Sequence, residues 1–172
     1  MAPIDPSGFA SAPSSIDEAR FRQVLGHFAT GVTVVTGLAA GQPLGLAVSS
    51  FTSVSLEPAL VAFCVSMRSV TWPSLRAEGG AFCVNILAHD QEALSRAFAA
   101  WGPDRFQGVG WRPAPSGAPV LAGVLAWVDC TVEAEHEAGD HVIVVGRARA
   151  LDVEREGHPL VFYRGGYGRF EL

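Results

Sequence analysis

The chain has 172 residues, of which 49% are hydrophobic and 17% are charged, and its formal net charge is -5 at pH 7. This length allows one domain with a sizeable core, and the composition excludes a disordered chain. The acidic balance argues against a nucleic-acid partner. Charged or strongly polar residues interrupt every apolar stretch before roughly 18 apolar residues accumulate, so no membrane span is expected.

The N-terminus and the cysteines indicate a cytoplasmic protein. Residues 1–12 have neither the basic start nor the apolar run of a signal peptide. The Pro, Ala, Ser and Gly content of residues 1–14 predicts a flexible tail ahead of a single domain at residues 15–172. Cys64, Cys83 and Cys130 lie far apart within apolar runs, which predicts reduced thiols in the core.

The first predicted element is an amphipathic helix. Ser15 and Glu18 have the spacing of a capping box, and Gly31 suits the exit from the helix. Apolar residues recur on one face at helical spacing, namely Ile16, Phe21, Val24, Leu25 and Phe28.

Strand patterns dominate the rest of the chain. Seven β-rich or apolar runs predict strands at residues 32–36, 44–50, 59–65, 81–87, 124–135, 141–152 and 160–163. Turn residues at 41–43 and at Gly139–Asp140 predict hairpins. Because no β-α rhythm appears, the fold class is mainly β: an antiparallel, closed or nearly closed barrel with a few peripheral helices.

Two short helices and one long loop interrupt the strands. Pro73 at a first helical position and Gly79–Gly80 at the end bracket one helix. Asp90 is predicted to cap a second helix at residues 91–99. The many Gly and Pro residues of 102–119 predict a long loop.

Common catalytic patterns are missing from the sequence. No Cys-x-x-Cys occurs, and no two histidines have the spacing of metal ligands, so no metal is predicted. The nucleophile elbow of hydrolases and the usual phosphate-binding glycine loops are also missing.

Hydroxyl side chains instead follow two predicted strands. Residues 49–55 hold five Ser or Thr side chains, and Ser66, Arg68, Ser69 and Thr71 follow the next strand. Taken alone, residues 49–55 could be a polar loop whose hydroxyls bond the local backbone. The second group, taken alone, could be a helix cap beside a solvated arginine. Together they suit a flat polar heterocycle beside its phosphate, as in flavin mononucleotide. The hard chemistry would then belong to the cofactor.

The stretch from Phe21 to Tyr167 resembles the flavin reductase-like family, whose members have an FMN-binding split barrel with Greek-key connections. The motifs that carry the resemblance are FATGVTVVT at 28–36, GLAVSSFTSVSLEP at 45–58, FCVNIL at 82–87, GDH at 139–141 and YRGGY at 163–167. Members are short-chain NAD(P)H:flavin oxidoreductases that serve two-component flavin-dependent monooxygenases.

The resemblance implies a flavin site built from several segments. The ring would lie against Pro43, Leu44, Gly45, Leu46 and Ala47. The remaining flavin contacts would come from Ser49 and Ser50 at the ribityl chain and polar edge, from the wall residues Cys64, Val65 and Ser66, from Ser69, Val70 and Thr71 near the phosphate, and from Ala97 and Phe98 closing the pocket. Phe98 is one candidate to act across a dimer interface. Several relatives have a basic residue where Val70 stands, and Arg68 is a candidate replacement.

The resemblance also implies a nicotinamide site. His141 in the Gly-Asp-His turn corresponds to the histidine on the nicotinamide side. The residues that cover the dinucleotide would be Tyr163, Arg164, Gly165, Gly166 and Tyr167. Without the resemblance, His141 would be an ordinary turn histidine, and the two tyrosines would be strand-end packing residues.

The implied activity is hydride transfer from NADH or NADPH to FMN or FAD by a homodimer that supplies reduced flavin to a monooxygenase. Two alternatives remain at this point. One is a flavin-binding carrier or sensor without nicotinamide turnover. The other is a different split-barrel enzyme, either like pyridoxamine-phosphate oxidase or using deazaflavin. The absence of lysine and the scarcity of arginine disfavour the second alternative.

Overall fold

The computed structural model describes residues 16–77, 79–100, 102 and 105–170. These residues form three helices, α1 (Glu18–Leu25), α2 (Thr71–Ala77) and α3 (Glu92–Ala99). Twelve strands accompany them: β1 (Thr30–Gly31), β2 (Thr33–Ala39), β3 (Gln42–Val48), β4 (Thr52–Leu56), β5 (Ala59–Ser66), β6 (Ala81–Ile86), β7 (Trp111–Pro113), β8 (Pro119–Leu121), β9 (Ala126–Ala138), β10 (His141–Val153), β11 (Leu160–Tyr163) and β12 (Gly166–Arg169).

The main sheet has seven strands in the order β3-β2-β6-β9-β10-β5-β4, and every pairing in it is antiparallel. Its terminal strands β3 and β4 are not paired to each other, yet β3 approaches β5. The sheet therefore curves into a barrel that is split along one side. This arrangement confirms the predicted mainly β, antiparallel split barrel.

Two smaller sheets cover the barrel. Strands β1, β11 and β12 form one sheet, and β7 pairs with β8 in a short hairpin. The hairpin is held by the buried amide of Asn85, whose Oδ1 accepts the Leu121 backbone N–H at 2.8 Å. The Asn85 Nδ2 donates to Thr36 Oγ1 at 2.9 Å. Asn85 is thus a structural residue within the sheet.

The barrel interior is an aromatic core that fixes α2 against the strands. Phe63, Trp72 and Phe82 pack edge to face with ring centroids 5.2 to 5.6 Å apart. Gly146 permits this packing, because a Cβ there would lie 2.5 Å from the Phe82 ring. Close-packed interiors tolerate such overlaps poorly, so the strand needs glycine at this position.

The predicted helices are present, but their ends differ from the predictions. Ser15 lies outside the described residues, and Asp17 caps α1 by accepting the Arg20 N–H at 2.9 Å. The helix ends before Gly26 rather than at Gly31. Pro73 is the third residue of α2 rather than its first.

The prediction that Asp90 caps α3 is wrong, because Gln91 holds the N-cap position. The Asp90 carboxylate instead accepts a hydrogen bond from Arg155 Nη2 at 2.6 Å. This ion pair keeps the pKa of Asp90 below its usual range, chiefly through the Arg155 hydrogen bond.

Strands β1, β4, β7, β8 and β12 were not predicted, and strand β3 begins earlier than expected. The turn before β3 is formed by Ala40 and Gly41, both with positive φ, so Gln42 and Pro43 already belong to the strand. Proline is tolerated there because β3 lies at the sheet edge. The predicted long loop also contains β7.

Candidate functional site

The split in the barrel contains a cavity of about 430 Å³, which we call the inner cleft. It lies between the end of β3 and the end of β5, with α2 and α3 beside it. Its lining residues are Leu46, Ala47, Val48, Ser49, Ser50, Cys64, Val65, Ser66, Arg68, Ser69, Val70, Thr71, Phe98, Ala99, Arg105 and His141. Hydroxyl groups and cationic side chains provide its polar surface, and no carboxylate is among these described lining residues.

A single serine hydroxyl joins the two sides of the inner cleft. Ser50 Oγ accepts the Cys64 backbone N–H at 2.8 Å and donates to the Cys64 carbonyl oxygen at 3.3 Å. The β4–β5 register pairs Thr52 with Ala62, so the contact between Ser50 and Cys64 continues that ladder by two residues toward the end of β3. Ser50 therefore ties the β3–β4 connection to β5 at the edge of the inner cleft.

A close contact between β3 and α3 lies beside the inner cleft. The buried ring of Phe98 lies so near Gly45 that a Cβ there would be 2.7 Å from Phe98 Cε1. Glycine at this position lets the phenyl ring pack directly on the strand. The sequence Gly45-Leu46-Ala47 is thus compatible with a flat surface beside the cleft.

A second cavity of about 1050 Å³, which we call the outer cavity, opens next to the inner cleft. Both cavities are lined by Ser49, Ser50 and His141. The other lining residues of the outer cavity come from α1, β1, β4 and the β11–β12 hairpin: Phe21, Arg22, Leu25, Gly26, Phe28, Ala29, Thr30, Gly31, Phe51, Thr52, Phe162, Arg164 and Gly165. Two ligands bound in these cavities would meet at the shared residues.

His141 begins β10 at the boundary between the two cavities. Its Nδ1 lies 2.7 Å from Asp140 Oδ1, and its side chain is 45% exposed. The hydrogen bond from His141 holds the pKa of Asp140 below its usual range, so that carboxylate is ionised at neutral pH. A neutral imidazole must then carry its proton on Nδ1, which fixes its tautomer.

Most of the predicted flavin residues meet in the inner cleft. Those that line it are Leu46, Ala47, Ser49, Ser50, Cys64, Val65, Ser66, Ser69, Val70, Thr71 and Phe98. Pro43, Leu44 and Gly45 instead line a third cavity of about 430 Å³, which we call the lateral cavity. Ala97 lies on the exposed side of α3, outside the linings of these cavities, and Ala99 borders the inner cleft instead.

The predicted nicotinamide residues divide into two groups. Arg164 and Gly165 form the β11–β12 turn and line the outer cavity with His141. Tyr163, Gly166 and Tyr167 are not among its lining residues.

The two tyrosines of this hairpin make separate contacts. Tyr163 meets the His27 ring edge to face, with centroids 6.2 Å apart. Tyr167 is outside the lining of the outer cavity. Its hydroxyl is 2.9 Å from Ser95 Oγ, and the Arg96 guanidinium carbon lies 4.8 Å from the centroid of its ring.

Arg105 is a lining residue that the sequence analysis missed. Its Nη1 donates to the Gly45 carbonyl oxygen at 2.7 Å and to Thr71 Oγ1 at 3.3 Å. It borders both the inner cleft and the lateral cavity. A single arginine within a Gly- and Pro-rich stretch belongs to no periodic pattern. In the sequence, only the neighbouring aromatic residue Phe106 could have indicated that this loop packs on the core.

The three cysteines occupy different environments. Cys83 and Cys130 are buried, and burial raises the pKa of both thiols, that of Cys130 to about 12. The prediction of a core position is wrong for Cys64, which is exposed and lines the inner cleft. Strand β5 borders the split at Cys64, so this side chain faces the inner cleft although it belongs to an apolar run.

Neither a metal cluster nor a membrane span is found in the part of the chain that the structure describes. Within the described ranges, no three His, Cys, Asp or Glu side chains are grouped so that they could hold a metal ion. None of the three helices is long and apolar enough to cross a bilayer.

Comparison with known proteins agrees with this geometry. Residues 25–171 match the flavin reductase-like domain model. The chain is 45% identical over 162 residues to the reductase subunit HsaB of a flavin-dependent monooxygenase from Rhodococcus jostii, covering 94% of this chain and 83% of that protein.

Solved structures show the same relationship. Nitrilotriacetate monooxygenase component B from Mycobacterium thermoresistibile superposes with a TM-score of 0.86 at 45% identity, over 90% of this chain and 87% of that one. The NADH:FAD oxidoreductase SgcE6 of Streptomyces globisporus gives 0.84 at 38% identity, over 95% and 99% of the two chains. The split barrel, the two adjoining cavities and these matches together show that the chain belongs to the flavin reductase-like family.

Proposed function

We propose that this chain is an NADH-dependent flavin reductase that reduces FMN or FAD and supplies the reduced flavin to a partner monooxygenase. The observation that carries the proposal is the junction of the inner cleft and the outer cavity at Ser49, Ser50 and His141. Hydride transfer between two flat rings requires that they lie face to face at close range. Two cavities that share one wall provide that arrangement.

The inner cleft has the chemistry expected of a flavin site. The hydroxyl groups of Ser49, Ser50 and Ser66 face a region without described carboxylates, which suits a ring edge and a ribityl chain rich in hydrogen-bonding groups. Ser69, Val70 and Thr71 would lie toward the phosphate. Its volume is within the usual range of small-molecule sites, and the Ser50 hydroxyl ties two of its lining segments together at the Cys64 backbone.

The outer cavity suits the nicotinamide dinucleotide. Arg164 provides positive charge for phosphates, whereas the Arg22 guanidinium is paired with Glu18. Phe28 and Phe162 provide apolar surface for flat rings. His141 would hold the nicotinamide at the boundary, with Asp140 fixing its tautomer. When bound, the flavin supplies the acceptor for the hydride, and the side chains supply orientation.

Orientation is the main contribution expected of the side chains. Holding two reactants in the correct geometry removes roughly 7 to 11 kcal/mol from a barrier in ideal cases. The side-chain hydrogen bond found for His141 among the described residues goes to Asp140 and not to a Ser or Cys side chain of the cavity walls. His141 is therefore the one residue of the junction to which we assign a direct role beside the reacting atoms.

We further propose a homodimer whose interface includes α1. The helix contains no buried residue, and Phe21, Val24, Leu25 and Phe28 are 50 to 76% exposed. Contiguous apolar surface of this kind marks an interaction site. A second copy that covers α1 would enclose the outer cavity, which these same residues line in part.

The monooxygenase partner and the cytoplasmic location rest on different support. The related protein from Rhodococcus jostii is named as the reductase subunit of a flavin-dependent monooxygenase, and we extend that role to this chain. Three free cysteines, two of them buried as neutral thiols, suit a reducing compartment.

The proposal is tested by NADH oxidation with added FMN, with added FAD and without flavin, each repeated with NADPH. We expect turnover that rises with added FMN or FAD and is faster with NADH. A yellow protein that retains flavin but does not consume NADH would indicate a carrier. A protein that neither binds flavin nor oxidises NADH would contradict the flavin site itself.

A further inference from the structure

The β11–β12 hairpin forms part of the wall of the outer cavity but is firmly held only at its base. Strand β12 pairs with β11 alone among the described strands, and the Arg164–Gly165 turn lines the outer cavity. At the base, the Leu160 N–H donates to the Leu87 carbonyl oxygen at 3.0 Å. At the turn, the Arg164 N–H donates to the Gly26 carbonyl oxygen at 3.0 Å. Gly26 ends α1, which contains no buried residue, so this contact gives the turn no anchor in the core.

The hydroxyl of Tyr167 connects the hairpin to a buried side chain. Tyr167 lies near the turn and opposite Phe162 in the strand register. Its Oη is 2.9 Å from Ser95 Oγ on α3, and Ser95 is only 1% exposed. Its ring packs edge to face on Phe162, which lines the outer cavity, with centroids 5.2 Å apart. One side chain therefore connects the wall of the outer cavity to a helix that borders the inner cleft.

Helix α3 is anchored to the barrel by contacts other than the one with Tyr167. The buried ring of Phe98 packs on β3, and Gln91 Nε2 donates to the Ala122 carbonyl oxygen at 2.9 Å. Ser95 precedes Phe98 by three residues, so both lie on the same side of the helix. Because α3 has these anchors, loss of the bond between Ser95 and Tyr167 should displace the hairpin rather than the helix.

Side chains do not fill the space between α3 and the hairpin. A cavity of about 150 Å³ lies there, and Ser95, Ala99, Phe162 and Tyr167 are among its lining residues. Close packing fixes the relative position of two elements only where their surfaces are in contact. Beside this cavity, a directional hydrogen bond is the contact that sets the separation of the hairpin and the helix.

We propose that Tyr167 is a positioning residue for the nicotinamide dinucleotide. Its hydroxyl, hydrogen-bonded to Ser95, holds the hairpin with Phe162 and Arg164 at the separation from the inner cleft that the dinucleotide requires. This inference rests on the proposed flavin reductase function and adds a residue that lines neither the inner cleft nor the outer cavity. A wall that is in place before the ligand arrives lowers the entropic cost of binding.

An ordinary packing role for Tyr167 makes a different prediction. If its ring only covers the core, then its hydroxyl affects stability alone, and the folded protein should use NADH as before. If the hydroxyl positions the hairpin, then its loss should raise the KM for NADH and leave flavin affinity intact, because α3 stays on the barrel. Tyr167→Phe separates the two roles, since it removes the hydroxyl and keeps the ring that packs on Phe162.

The experiment measures NADH oxidation at saturating FMN, and FMN dissociation constants by fluorescence quenching, for the full chain, Tyr167→Phe, Ser95→Ala and the double variant. We expect each single substitution to raise the KM for NADH roughly 3- to 10-fold, the range for one uncharged hydrogen bond. The kcat and the FMN dissociation constant should change less than about twofold. The double variant should match either single variant, because both substitutions remove the same bond.

Three results would overturn the proposal. The first is an unchanged KM for NADH in both single variants. The second is a double variant in which the two effects multiply, since the substitutions would then act independently. The third is FMN binding that weakens as much as the KM for NADH rises. If one single variant does not fold, the KM for NADH in the other decides the test.

Ser116→Ala is the matched control for lost stability. The Ser116 hydroxyl donates to the buried carboxylate of Asp129, and Ser116 lines neither the inner cleft nor the outer cavity. This variant should unfold at lower urea concentration and keep the KM for NADH. An equal rise of the KM in it would show that any loss of stability has this effect, which would overturn the proposal.

The same measurements separate this inference from the proposed function. A wild-type chain that does not oxidise NADH with FMN or FAD would contradict the flavin reductase function. An active wild-type chain whose KM for NADH is unchanged by Tyr167→Phe and by Ser95→Ala would contradict the role of Tyr167 alone.

Discussion

The inner cleft and the outer cavity share three residues but are built in different ways. The inner cleft is held by hydrogen bonds within one chain, from Ser50 to the Cys64 backbone and from Arg105 to Gly45 and Thr71. The outer cavity is larger and is lined in part by apolar side chains of α1 that contact no core.

This difference predicts that the binding of the two ligands depends on dimer formation to different degrees. A site held by internal hydrogen bonds is preorganised in one chain, so its ligand requires little rearrangement. A site with exposed apolar walls is completed only when another surface covers it. We therefore expect flavin binding to depend mainly on side chains of one chain, and nicotinamide use to depend strongly on dimer formation.

The largest expected effect comes from Phe21→Glu, which places a charge on the exposed apolar face of α1. Burying an unpaired charge in an interface core costs several kcal/mol, so the dimer should dissociate and NADH oxidation should fall at least about 100-fold. Light scattering and steady-state kinetics check this. Flavin affinity should change less than about tenfold.

Gln23→Glu is the matched control for that variant. It adds the same charge to the same helix at an exposed position where Gln23 accepts a hydrogen bond from Arg20. It should remain dimeric and active. If Phe21→Glu were a fully active monomer, the outer cavity would not need a second copy.

His141→Ala tests the shared boundary of the two cavities. Removal of the imidazole should raise the KM for NADH roughly tenfold and change the KM for flavin much less, because His141 is assigned to the nicotinamide. Steady-state kinetics with each substrate varied in turn measures both values. His136→Ala, which alters a β9 histidine outside the described linings, is the control. Equal changes in both KM values would refute the assignment.

Ser50→Ala tests how much the Ser50 hydroxyl contributes at the edge of the inner cleft. The Cys64 backbone N–H and carbonyl would lose their partner, so we expect about 1 kcal/mol less stability and a few-fold weaker flavin binding. Urea unfolding and flavin titration check these values. Ser53→Ala on neighbouring β4 should be close to neutral, and an equally neutral Ser50→Ala would show that the bridge is unnecessary.

The smallest effect concerns the cysteines and requires no mutation. Cys64 lines the inner cleft and should react with a maleimide, and bound flavin should slow that reaction several-fold. Cys83 and Cys130 should remain unmodified, because burial raises the pKa of both thiols and excludes the reagent. Peptide mapping identifies the modified thiol. Unprotected labelling of Cys64 would place the flavin elsewhere.

The raised thiol pKa values also predict how stability depends on pH. An acid whose pKa is higher in the folded chain binds more protons when folded, so the free energy of unfolding falls above the unfolded pKa of about 8.5. For Cys130, with a folded pKa of about 12, the expected loss between pH 8 and pH 10 is about 2 kcal/mol. Cys130→Ala should reduce that slope in urea unfolding, and an unchanged slope would refute this explanation.

Periodic sequence features predicted most of the fold. The strand at 160–163 has the predicted ends, and β5, β6, β9 and β10 lie within a few residues of their predictions. These strands alternate or are continuously apolar because they pack on the core. Strand β4 was missed because its exposed position at the sheet edge leaves no hydrophobic pattern. Strand β12 is short and contains two glycines, so it also lacks a pattern.

The candidate site was less accessible to sequence reasoning. The hydroxyl groups at Ser49, Ser50 and Ser66 stood out because they interrupt apolar runs. Arg105 did not, because its importance depends on two contacts made across 60 and 34 residues of sequence. The exposure of Cys64 also depends on the barrel split, which is a property of the closed sheet rather than of any local segment.

The most direct test of the account is a crystal structure of the chain with FMN and NAD⁺ bound together. We expect the flavin in the inner cleft, with its phosphate toward Ser69 and Thr71, and the nicotinamide in the outer cavity against His141. A flavin bound in the outer cavity, or a nicotinamide ring remote from His141 and separated from the flavin, would contradict it.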